Sequence, residues 1–333
     1  MAEFRKDPID GKWVIIAPER KKALVEFKPE SYSKSRGAKC PFCPGNESLT
    51  PPEIFAIRDP QSKANEQGWK VRVIPNRQPI LRTEVKLEKE GIGYYDKISG
   101  VGAHEVIIET PNHYQHYSEL SEEHLAQIYF AWQQRIKDLK NDRRIKYVLI
   151  FKNYGISAGA MMDHPHSQLI ALPIAPKQIQ EELRGAREYY RYKERCIFCD
   201  IIYQELEDKD RLIYENEEFL VIAPWAPIFP FEMWVVPRAH REVFEESDRS
   251  LLFLLAQAVK KAMVKLDKTL NYPHFNLILH NLPFEKSPCP YYHWHLEILP
   301  RLIWVAGFEY GSGFYINPVP PEESAQWLKK AEE

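Results

Sequence analysis

The pattern of apolar and polar positions divides the chain into many short strands and one long amphipathic helix in each half. Short apolar runs bounded by proline, glycine or charged residues are typical of β-strands. The clearest runs are KWVIIAP, KVRVIP, AHEVIIET, YVLIFKN, FLVIAP, EMWVVP and FNLILHN. Helical spacing of apolar residues follows Ser121, which can cap a helix N-terminus, and a second helical run follows Ser247 and Asp248. Runs of strands with one main helix per half predict an α+β fold with antiparallel sheets.

The two halves of the chain carry the same features in the same order. In each half a Cys-x-x-Cys pair is followed by a lone histidine, a helix, an apolar strand and a His-x-His segment. The His-x-His segments are HPHSQLIALP in the first half and HWHLEILP in the second. We therefore predict a duplicated unit, with an N-terminal half at 1–175, a helical linker at 176–195 and a C-terminal half at 196–333.

The composition and net charge of the chain limit the kinds of protein and of partner that the sequence fits. The 333 residues are 44% hydrophobic and 28% charged, which favours a packed core over disorder. With 45 basic and 47 acidic residues, the net charge of -2 gives no basic footprint, so we predict no nucleic-acid partner. No apolar run approaches the length of a membrane span, and the first residues, MAEFRKDPIDGKW, lack an apolar signal core. These features predict a soluble cytoplasmic protein with no membrane partner.

The Cys-x-x-Cys pairs indicate zinc, because in a reducing compartment such pairs are more often metal ligands than disulfides. Tetrahedral structural zinc is held by cysteine thiolates and histidine nitrogens. The first predicted site is Cys40, Cys43, His113 and His164, and the second, by repeat logic, is Cys196, Cys199, His240 and His293. A redox pair or an unligated buried pair is the alternative at each. In the second half Glu182, His280 and His295 form a competing cluster that could also use His293.

The segment DHPHSQ contains a histidine that the predicted zinc site does not use. If His164 binds the metal, His166 is left free beside a fixed centre and can act as a nucleophile or base. The loop NYGISAGA at 153–160 precedes it, and its backbone N–H groups could bind a phosphate. Gln168 can donate its amide to a phosphoryl oxygen without supplying a proton to a leaving group. A hydrogen-bonded core histidine is the alternative for His166.

These segments resemble the galactose-1-phosphate uridylyltransferases of the histidine-triad superfamily, in their archaeal form. The resemblance is carried by HPHSQ against the family's His-Pro-His-x-Gln, by FKNYG upstream, by CPFC and by the late segment AGFEYGSGFYINPVPPEESA. It covers nearly the whole chain. It implies two tandem histidine-triad-like halves whose antiparallel sheets form a half-barrel-like core, with the helices packed outside. Hydrolytic members carry a histidine at the position of Gln168, so glutamine there favours transfer over hydrolysis.

The resemblance implies covalent catalysis. His166 would attack the α-phosphorus of UDP-glucose, glucose 1-phosphate would leave, and galactose 1-phosphate would then accept the uridylyl group. Gln168 would stabilise charge on the phosphoryl oxygens. Phe308 and Glu309 would meet the hexose from the other subunit of a homodimer. The other substrate-binding residues that the resemblance implies are Arg20, Asn76, Asn153, Ser157 and Gly159.

The chain also departs from the family pattern. Met161 stands where the family usually has a serine, so Ser157 or backbone amides would have to take its place. The second half has Glu297 at the glutamine position, which predicts a scaffold rather than a second catalytic centre. Bacterial members carry an additional iron or zinc site, which Glu182, His280, His293 and His295 match in type.

Two other functions remain open at this stage. A related nucleotide phosphorylase or adenylyltransferase would use the same His166 with a different base. A zinc-stabilised nucleotide-binding protein without turnover would need neither a covalent adduct nor an intact His166.

Overall fold

The computed structural model describes residues 1–21 and 40–331, and its centre is a ten-stranded antiparallel sheet. The strands of this sheet in the first half are β3 (Phe55–Arg58), β4 (Trp69–Pro75), β7 (Ala103–Ile108), β8 (Tyr147–Tyr154) and β9 (His166–Leu172). Those of the second half are β10 (Leu212–Glu215), β11 (Phe219–Ile222), β12 (Met233–Pro237), β13 (Phe275–His280) and β14 (His295–Pro300).

The order of the strands repeats about the middle of the sheet. It runs β10-β11-β12-β14-β13-β8-β9-β7-β4-β3, so each half contributes five strands and the halves meet where β13 pairs with β8. In the register of that central pair, Asn276 lies opposite Asn153 and Ile278 lies opposite Phe151. The sheet is open rather than closed into a barrel. This architecture confirms the predicted α+β fold with tandem antiparallel halves, while the domain boundaries stay a prediction.

Helices pack against both faces of the sheet. In the described ranges they are α1 (Glu122–Leu139), α2 (Lys177–Lys193), α3 (Ile197–Asp208), α4 (Arg249–Leu270), α5 (Gly307–Ser312) and α6 (Pro321–Lys330). The α1 helix begins where the Ser121 hydroxyl accepts from the backbone N–H of His124, and α4 begins where Asp248 accepts from Leu251. Both helices bury apolar faces in one core with alternate residues of the central strands. On the opposite face, strands of the second half pack against α2 and α3. The open face is therefore that of the first-half strands.

Smaller elements complete the described structure. The strands β1 (Glu3–Lys6), β2 (Trp13–Ile16) and β15 (Tyr315–Asn317) form a three-stranded sheet, and β5 (Lys89–Ile92) pairs with β6 (Tyr95–Ile98) as a separate hairpin. The predicted linker is the helix α2, in which Ile179, Glu182 and Ala186 are buried. None of the helices in the described ranges has the length and apolar character needed to cross a membrane.

The His-x-His segments enter the sheet at their second histidine. β9 begins at His166, and β14 begins at His295, so the first histidine of each pair lies just outside the strand. The residue between the histidines differs, because Pro165 has no N–H to donate whereas the backbone N–H of Trp294 donates to Arg241 at 3.0 Å. In both halves the first histidine lies beside the cysteine pair.

Candidate active site and metal centres

A row of polar side chains crosses the open face of the first half. In the strand register His166 lies opposite Ile108 and Gln168 lies opposite both Val106 and Phe151. The row continues onto the neighbouring strands at both ends. At one end the backbone N–H of Asn76 donates to the carbonyl oxygen of His104 at 2.8 Å. At the other end Asn153 of β8 lies opposite Asn276 of β13. Opposite positions in antiparallel strands share a face. The row consists of Asn76, His104, Gln168, His166, Asn153 and Asn276.

The imidazole of His166 is held by its own backbone neighbour. Its Nδ1 lies 2.8 Å from the carbonyl oxygen of His164, which is an acceptor only, so Nδ1 carries the proton and Nε2 keeps its lone pair. Burial lowers the pKa of His166 to about 4; the Lys152 ammonium acts in the same direction, against the His164 carbonyl. A neutral imidazole with an unprotonated Nε2 can attack an electrophile.

Lys152 and Glu109 support the strand of His166 from the helix side. The ammonium of Lys152 lies 2.5 Å from Glu109 Oε2 and 3.3 Å from the carbonyl oxygen of His166, and both side chains are buried. Removing either partner would leave an uncompensated buried charge. The ion pair was not predicted from the sequence. The available sign was a lysine and a glutamate inside mainly apolar strands.

The amide of Gln168 is in contact with a histidine that the sequence analysis missed. Gln168 Oε1 lies 2.9 Å from His104 Nε2, and the amide nitrogen of Asn76 lies 3.1 Å from the same ring atom. The backbone N–H of Ile80 points to His104 Nδ1 at 3.4 Å. His104 is therefore central to the half of the polar row that holds Asn76 and Gln168. The only sequence signal was a histidine near the start of the strand run AHEVIIET.

The predicted phosphate loop at 153–160 is hydrogen-bonded to the second half of the chain. Asn276 donates from Nδ2 to Asn153 Oδ1 and to the carbonyl of Ala158, both at 2.8 Å. The backbone N–H of Ser157 donates to His274 Nδ1 at 3.2 Å, and its hydroxyl lies 3.1 Å from the same nitrogen. The second half thus shapes a loop that belongs to the first.

Two glycines fit the shape of this loop. Gly155 has φ of +81° and Gly159 has φ of +84°, a region that residues with a Cβ rarely occupy. A Cβ on Gly155 would also lie 2.0 Å from Cδ2 of His274. Gly159 lies beside Asn153, whose Nδ2 would be 3.8 Å from an added Cβ. The structure therefore places the predicted residues Asn153, Ser157 and Gly159 in one loop.

A cavity of about 110 Å³ opens beside this loop. Its lining includes His166, Asn153 and Gly155 together with the metal-cluster residues His113 and His164. It is formed between residues 113–116, the end of β8 and the segment that leads into β9.

The first predicted metal cluster is brought together. The ligand atoms of Cys40, Cys43, His113 and His164 all lie within 4.8 Å of one another. Cys43 Sγ is 3.3 Å from His113 Nδ1 and 3.6 Å from His164 Nδ1. Tetrahedral zinc, with Zn–S of about 2.3 Å and Zn–N of about 2.0–2.1 Å, requires S···N separations of about 3.5 Å. The set therefore fits zinc in both chemistry and spacing.

The outer partner of His164 is consistent with a ligand role. His164 Nε2 lies 2.7 Å from the carbonyl oxygen of Thr110, so Nε2 carries the proton and Nδ1 faces the two sulfurs with its lone pair. His164 is fully buried. This arrangement divides the two histidines between two tasks, with His164 directed at the cysteines and His166 at the open face.

The second cluster repeats the first. Cys196, Cys199, His240 and His293 also bring their ligand atoms within 4.8 Å of one another. Cys199 Sγ lies 3.6 Å from His240 Nδ1, and His293 Nε2 lies 2.8 Å from the carbonyl oxygen of Ala239. The donor set and the orientation of His293 fit zinc in the same way.

A third cluster consists of Glu182, His280 and His295, and His293 is not part of it. His280 Nδ1 lies 3.0 Å from Glu182 and its Nε2 lies 3.2 Å from Glu297. Burial opposes protonation, but these two carboxylates raise the pKa of His280 well above its usual value. The structure thus separates two clusters that the sequence analysis treated as competitors for one histidine.

The structure does not bring the remaining predicted residues to His166. Arg20 is exposed at the end of a 3-10 turn at Pro18–Arg20. Phe308 is half exposed in α5, and Glu309 accepts from the backbone N–H of Ala306 to cap that helix. Met161 is 93% exposed, so it fills no phosphate site. Roles for Arg20, Phe308 and Glu309 in binding stay predictions.

The fold is that of enzymes that move nucleotidyl groups. A solved structure of uridylyltransferase superposes with a TM-score of 0.77 at 28% identity, covering 99% of this chain and 98% of the other. The family model for the N-terminal domain of galactose-1-phosphate uridyl transferase matches residues 1–176, and a model of a domain of unknown function matches residues 100–331. The chain belongs to the galactose-1-phosphate uridyl transferase family, which confirms the resemblance drawn from its sequence.

Relatives within the family differ in their named activity. ADP-glucose phosphorylase of Arabidopsis thaliana is 36% identical over 98% of this chain and 92% of its own length. Its crystal structure with bound ADP-glucose superposes with a TM-score of 0.84 at 34% identity, covering 99% of this chain and 98% of that chain. Galactose-1-phosphate uridylyltransferase of Thermotoga maritima is 29% identical over 100% of this chain and 99% of its own length.

Proposed function

We propose that the protein transfers a uridylyl group between UDP-glucose and galactose 1-phosphate through a covalent uridylyl-His166 intermediate. One observation carries the proposal. His166 Nδ1 is bound to the carbonyl of His164, which leaves Nε2 as the nucleophilic atom on a face that also presents the amides of Gln168 and Asn153. Membership of the family and the cavity beside His166 support it.

The first half-reaction forms one bond and breaks one. The Nε2 lone pair of His166 attacks the α-phosphorus, the P–N bond forms, and glucose 1-phosphate leaves with the electron pair of the P–O bond. The imidazole ring gains positive charge, which the His164 carbonyl stabilises through the Nδ1 proton. A phosphate oxygen of galactose 1-phosphate then attacks the same phosphorus, and the P–N electrons return to Nε2.

Gln168, the neighbour of His166 on the same strand face, supplies no base for water. Gln168 stands two residues after the nucleophile, and an amide neither takes nor gives a proton at neutral pH. This chemistry favours an acceptor that already carries a negatively charged oxygen. Hexose 1-phosphate and inorganic phosphate both satisfy that requirement.

Adenylyl transfer from ADP-glucose to inorganic phosphate is a second candidate. It is favoured by the 36% identity to ADP-glucose phosphorylase and by the close superposition on that protein's ADP-glucose complex. The same His166 would attack the α-phosphorus of ADP-glucose, and phosphate would replace galactose 1-phosphate as the acceptor. The two candidates differ only in the base and the acceptor.

Intact-mass measurement tests the proposal directly. The protein is mixed with UDP-glucose or ADP-glucose, and a gain of one uridylyl or one adenylyl unit is measured. We expect the uridylyl adduct, its absence in His166→Asn, and its discharge by galactose 1-phosphate. His124→Asn is the matched control, since His124 lies outside the polar row and should leave adduct formation intact.

The acceptor experiment separates the two candidates. Discharge of a uridylyl adduct by galactose 1-phosphate, giving UDP-galactose, supports the first. An adenylyl adduct discharged by inorganic phosphate, giving ADP, supports the second and overturns the first. A wild-type chain that forms neither adduct would exclude both and leave a nucleotide-binding protein without turnover.

A further inference from the structure

Two amide side chains on the open face are held in the same manner. Gln168 contacts His104 through Oε1, and Asn153 contacts Asn276 through Oδ1. In each case the partner holds the carbonyl end of the amide. Within residues 1–21 and 40–331, neither the Gln168 Nε2 nor the Asn153 Nδ2 group donates to another side chain or backbone oxygen.

The ring of His104 can serve as the donor to Gln168. Its Nε2 lies 2.9 Å from Gln168 Oε1 and 3.1 Å from the amide nitrogen of Asn76, and the backbone N–H of Ile80 faces its Nδ1 at 3.4 Å. In the tautomer with the proton on Nε2, the ring donates along the shortest of these contacts, to Gln168 Oε1, and accepts from Ile80 at Nδ1. In this tautomer the carbonyl end of the Gln168 amide faces the ring.

Asn276 performs the same task from the other half of the chain. Its Nδ2 group donates one proton to Asn153 Oδ1 and the other to the carbonyl of Ala158. Because both acceptors are oxygens, the orientation of the Asn276 amide is determined, and so is that of Asn153. His104 and Asn276 come from opposite sides of the row, with His166 between them.

We propose that His104 and Asn276 are positioning residues that keep the NH2 groups of Gln168 and Asn153 directed at an anionic ligand on the His166 face. A side-chain amide that is free to flip presents its acceptor oxygen half of the time and would repel a phosphoryl oxygen. Donors fixed in advance stabilise developing charge without reorganising during the reaction. The proposal rests on the proposed function, because the ligand it serves is the phosphoryl group transferred by His166.

A double-mutant cycle measures this coupling. The rate of adduct formation is followed in a single turnover with UDP-glucose for His104→Ala, Gln168→Ala and the double variant. We expect Gln168→Ala to be slower by about 10²–10³-fold, as found when a direct oxyanion donor is removed, and His104→Ala to be slower by roughly 10- to 100-fold. If His104 acts through Gln168, then His104→Ala should cost little once Gln168 is absent.

The conservative variant gives a second readout. In His104→Gln a side-chain NH2 can replace the Nε2–H donor, so adduct formation should recover most of the wild-type rate. A purely structural role would instead give equal losses in both variants and a lower melting temperature in each. The same cycle for Asn276→Ala and Asn153→Ala tests the other amide, with the exposed Asn141→Ala as the matched control.

The outcomes separate this proposal from the proposed function. If wild type forms the adduct and the variants act additively, the positioning role is wrong while the nucleotidyl transfer stands. If wild type forms no adduct with UDP-glucose or ADP-glucose, the proposed function is wrong, and the cycle is measured on the binding of UDP and ADP by calorimetry. Additive effects there, or no binding of either nucleotide to wild type, would overturn the positioning role as well.

Discussion

His166 Nδ1 lies 2.8 Å from the carbonyl oxygen of His164, two residues earlier in the same chain. His295 repeats this relationship in the second half, where its Nδ1 lies 3.2 Å from the carbonyl of His293. The surroundings of the two rings differ. His295 stacks on His280 at a centroid distance of 4.7 Å and its Nε2 faces the carboxylate of Glu297 at 3.7 Å. The imidazole of His295 thus faces a buried carboxylate, whereas that of His166 faces the open face.

Replacing Gln168 by histidine should change the fate of the adduct. An imidazole at this position can take a proton from water, which the amide cannot do. We expect Gln168→His to raise the rate of UDP-glucose hydrolysis relative to uridylyl transfer, measured as free UMP against UDP-galactose. Gln168→Glu is the comparison variant. If Gln168→His gives the same ratio of UMP to UDP-galactose as wild type, then Gln168 is not the reason why transfer prevails over hydrolysis.

Each of the two Cys/His clusters should bind one zinc ion. We expect Cys43→Ala and Cys199→Ala each to lose one equivalent of zinc by elemental analysis, and Cys289→Ala to lose none. Loss of the first zinc should also slow adduct formation, because His164 shares its backbone with His166. Loss of the second should mainly lower the melting temperature. A chain purified without zinc, and unchanged by a strong chelator, would contradict both assignments.

Gly155 should tolerate no side chain. Its φ of +81° with ψ of 161° is available almost only to glycine, and an added Cβ would collide with the ring of His274. We expect Gly155→Ala to lower the free energy of unfolding by about 2–3 kcal/mol and to slow adduct formation. Gly91→Ala is the control, since its Cβ meets nothing within 4 Å. Equal melting temperatures for the two variants would refute this account.

Glu232 should make stability depend on pH. Burial raises the pKa of Glu232 to about 8, and the neighbouring Glu297 adds to the shift. Because this pKa is higher in the folded than in the unfolded chain, the stabilisation is complete below the unfolded value of about 4.3 and is lost as the pH rises to about 8. The free energy of unfolding should therefore fall across this window.

The Glu232→Gln variant isolates this contribution. The variant cannot ionise at this position. Relative to wild type, its free energy of unfolding should therefore rise by a few kcal/mol between pH 5 and pH 8. Chemical denaturation at both pH values measures the change. The exposed Glu207→Gln variant should follow the wild-type profile. Parallel profiles for Glu232→Gln and wild type would rule out this ionisation as the cause.

The local elements and the cysteine–histidine clusters were predictable because short-range patterns carry them. The runs YVLIFKN and FNLILHN became β8 and β13, and the repeated order of Cys-x-x-Cys, histidine and His-x-His anticipated two four-residue clusters that the structure does bring together. The sequence did not show that each strand begins only at the second histidine of its His-x-His segment.

The residues around the nucleophile were less predictable, because they come from strands far apart in the chain. His104 and Asn276 each stand near the start of a mainly apolar run, and nothing local distinguishes them from surface positions. Only the pairing of β7 with β9 and of β8 with β13 places them beside Gln168 and Asn153.

The sequence by itself determined the α+β plan, and it predicted the two cysteine–histidine clusters and His166 as the candidate nucleophile, since these depend on residue type and spacing along the chain. The tertiary structure decided which cluster holds His293 and which residues hold the two amides. These features depend on strand register and on hydrogen bonds between the halves, and such contacts form only when distant segments pack on one sheet.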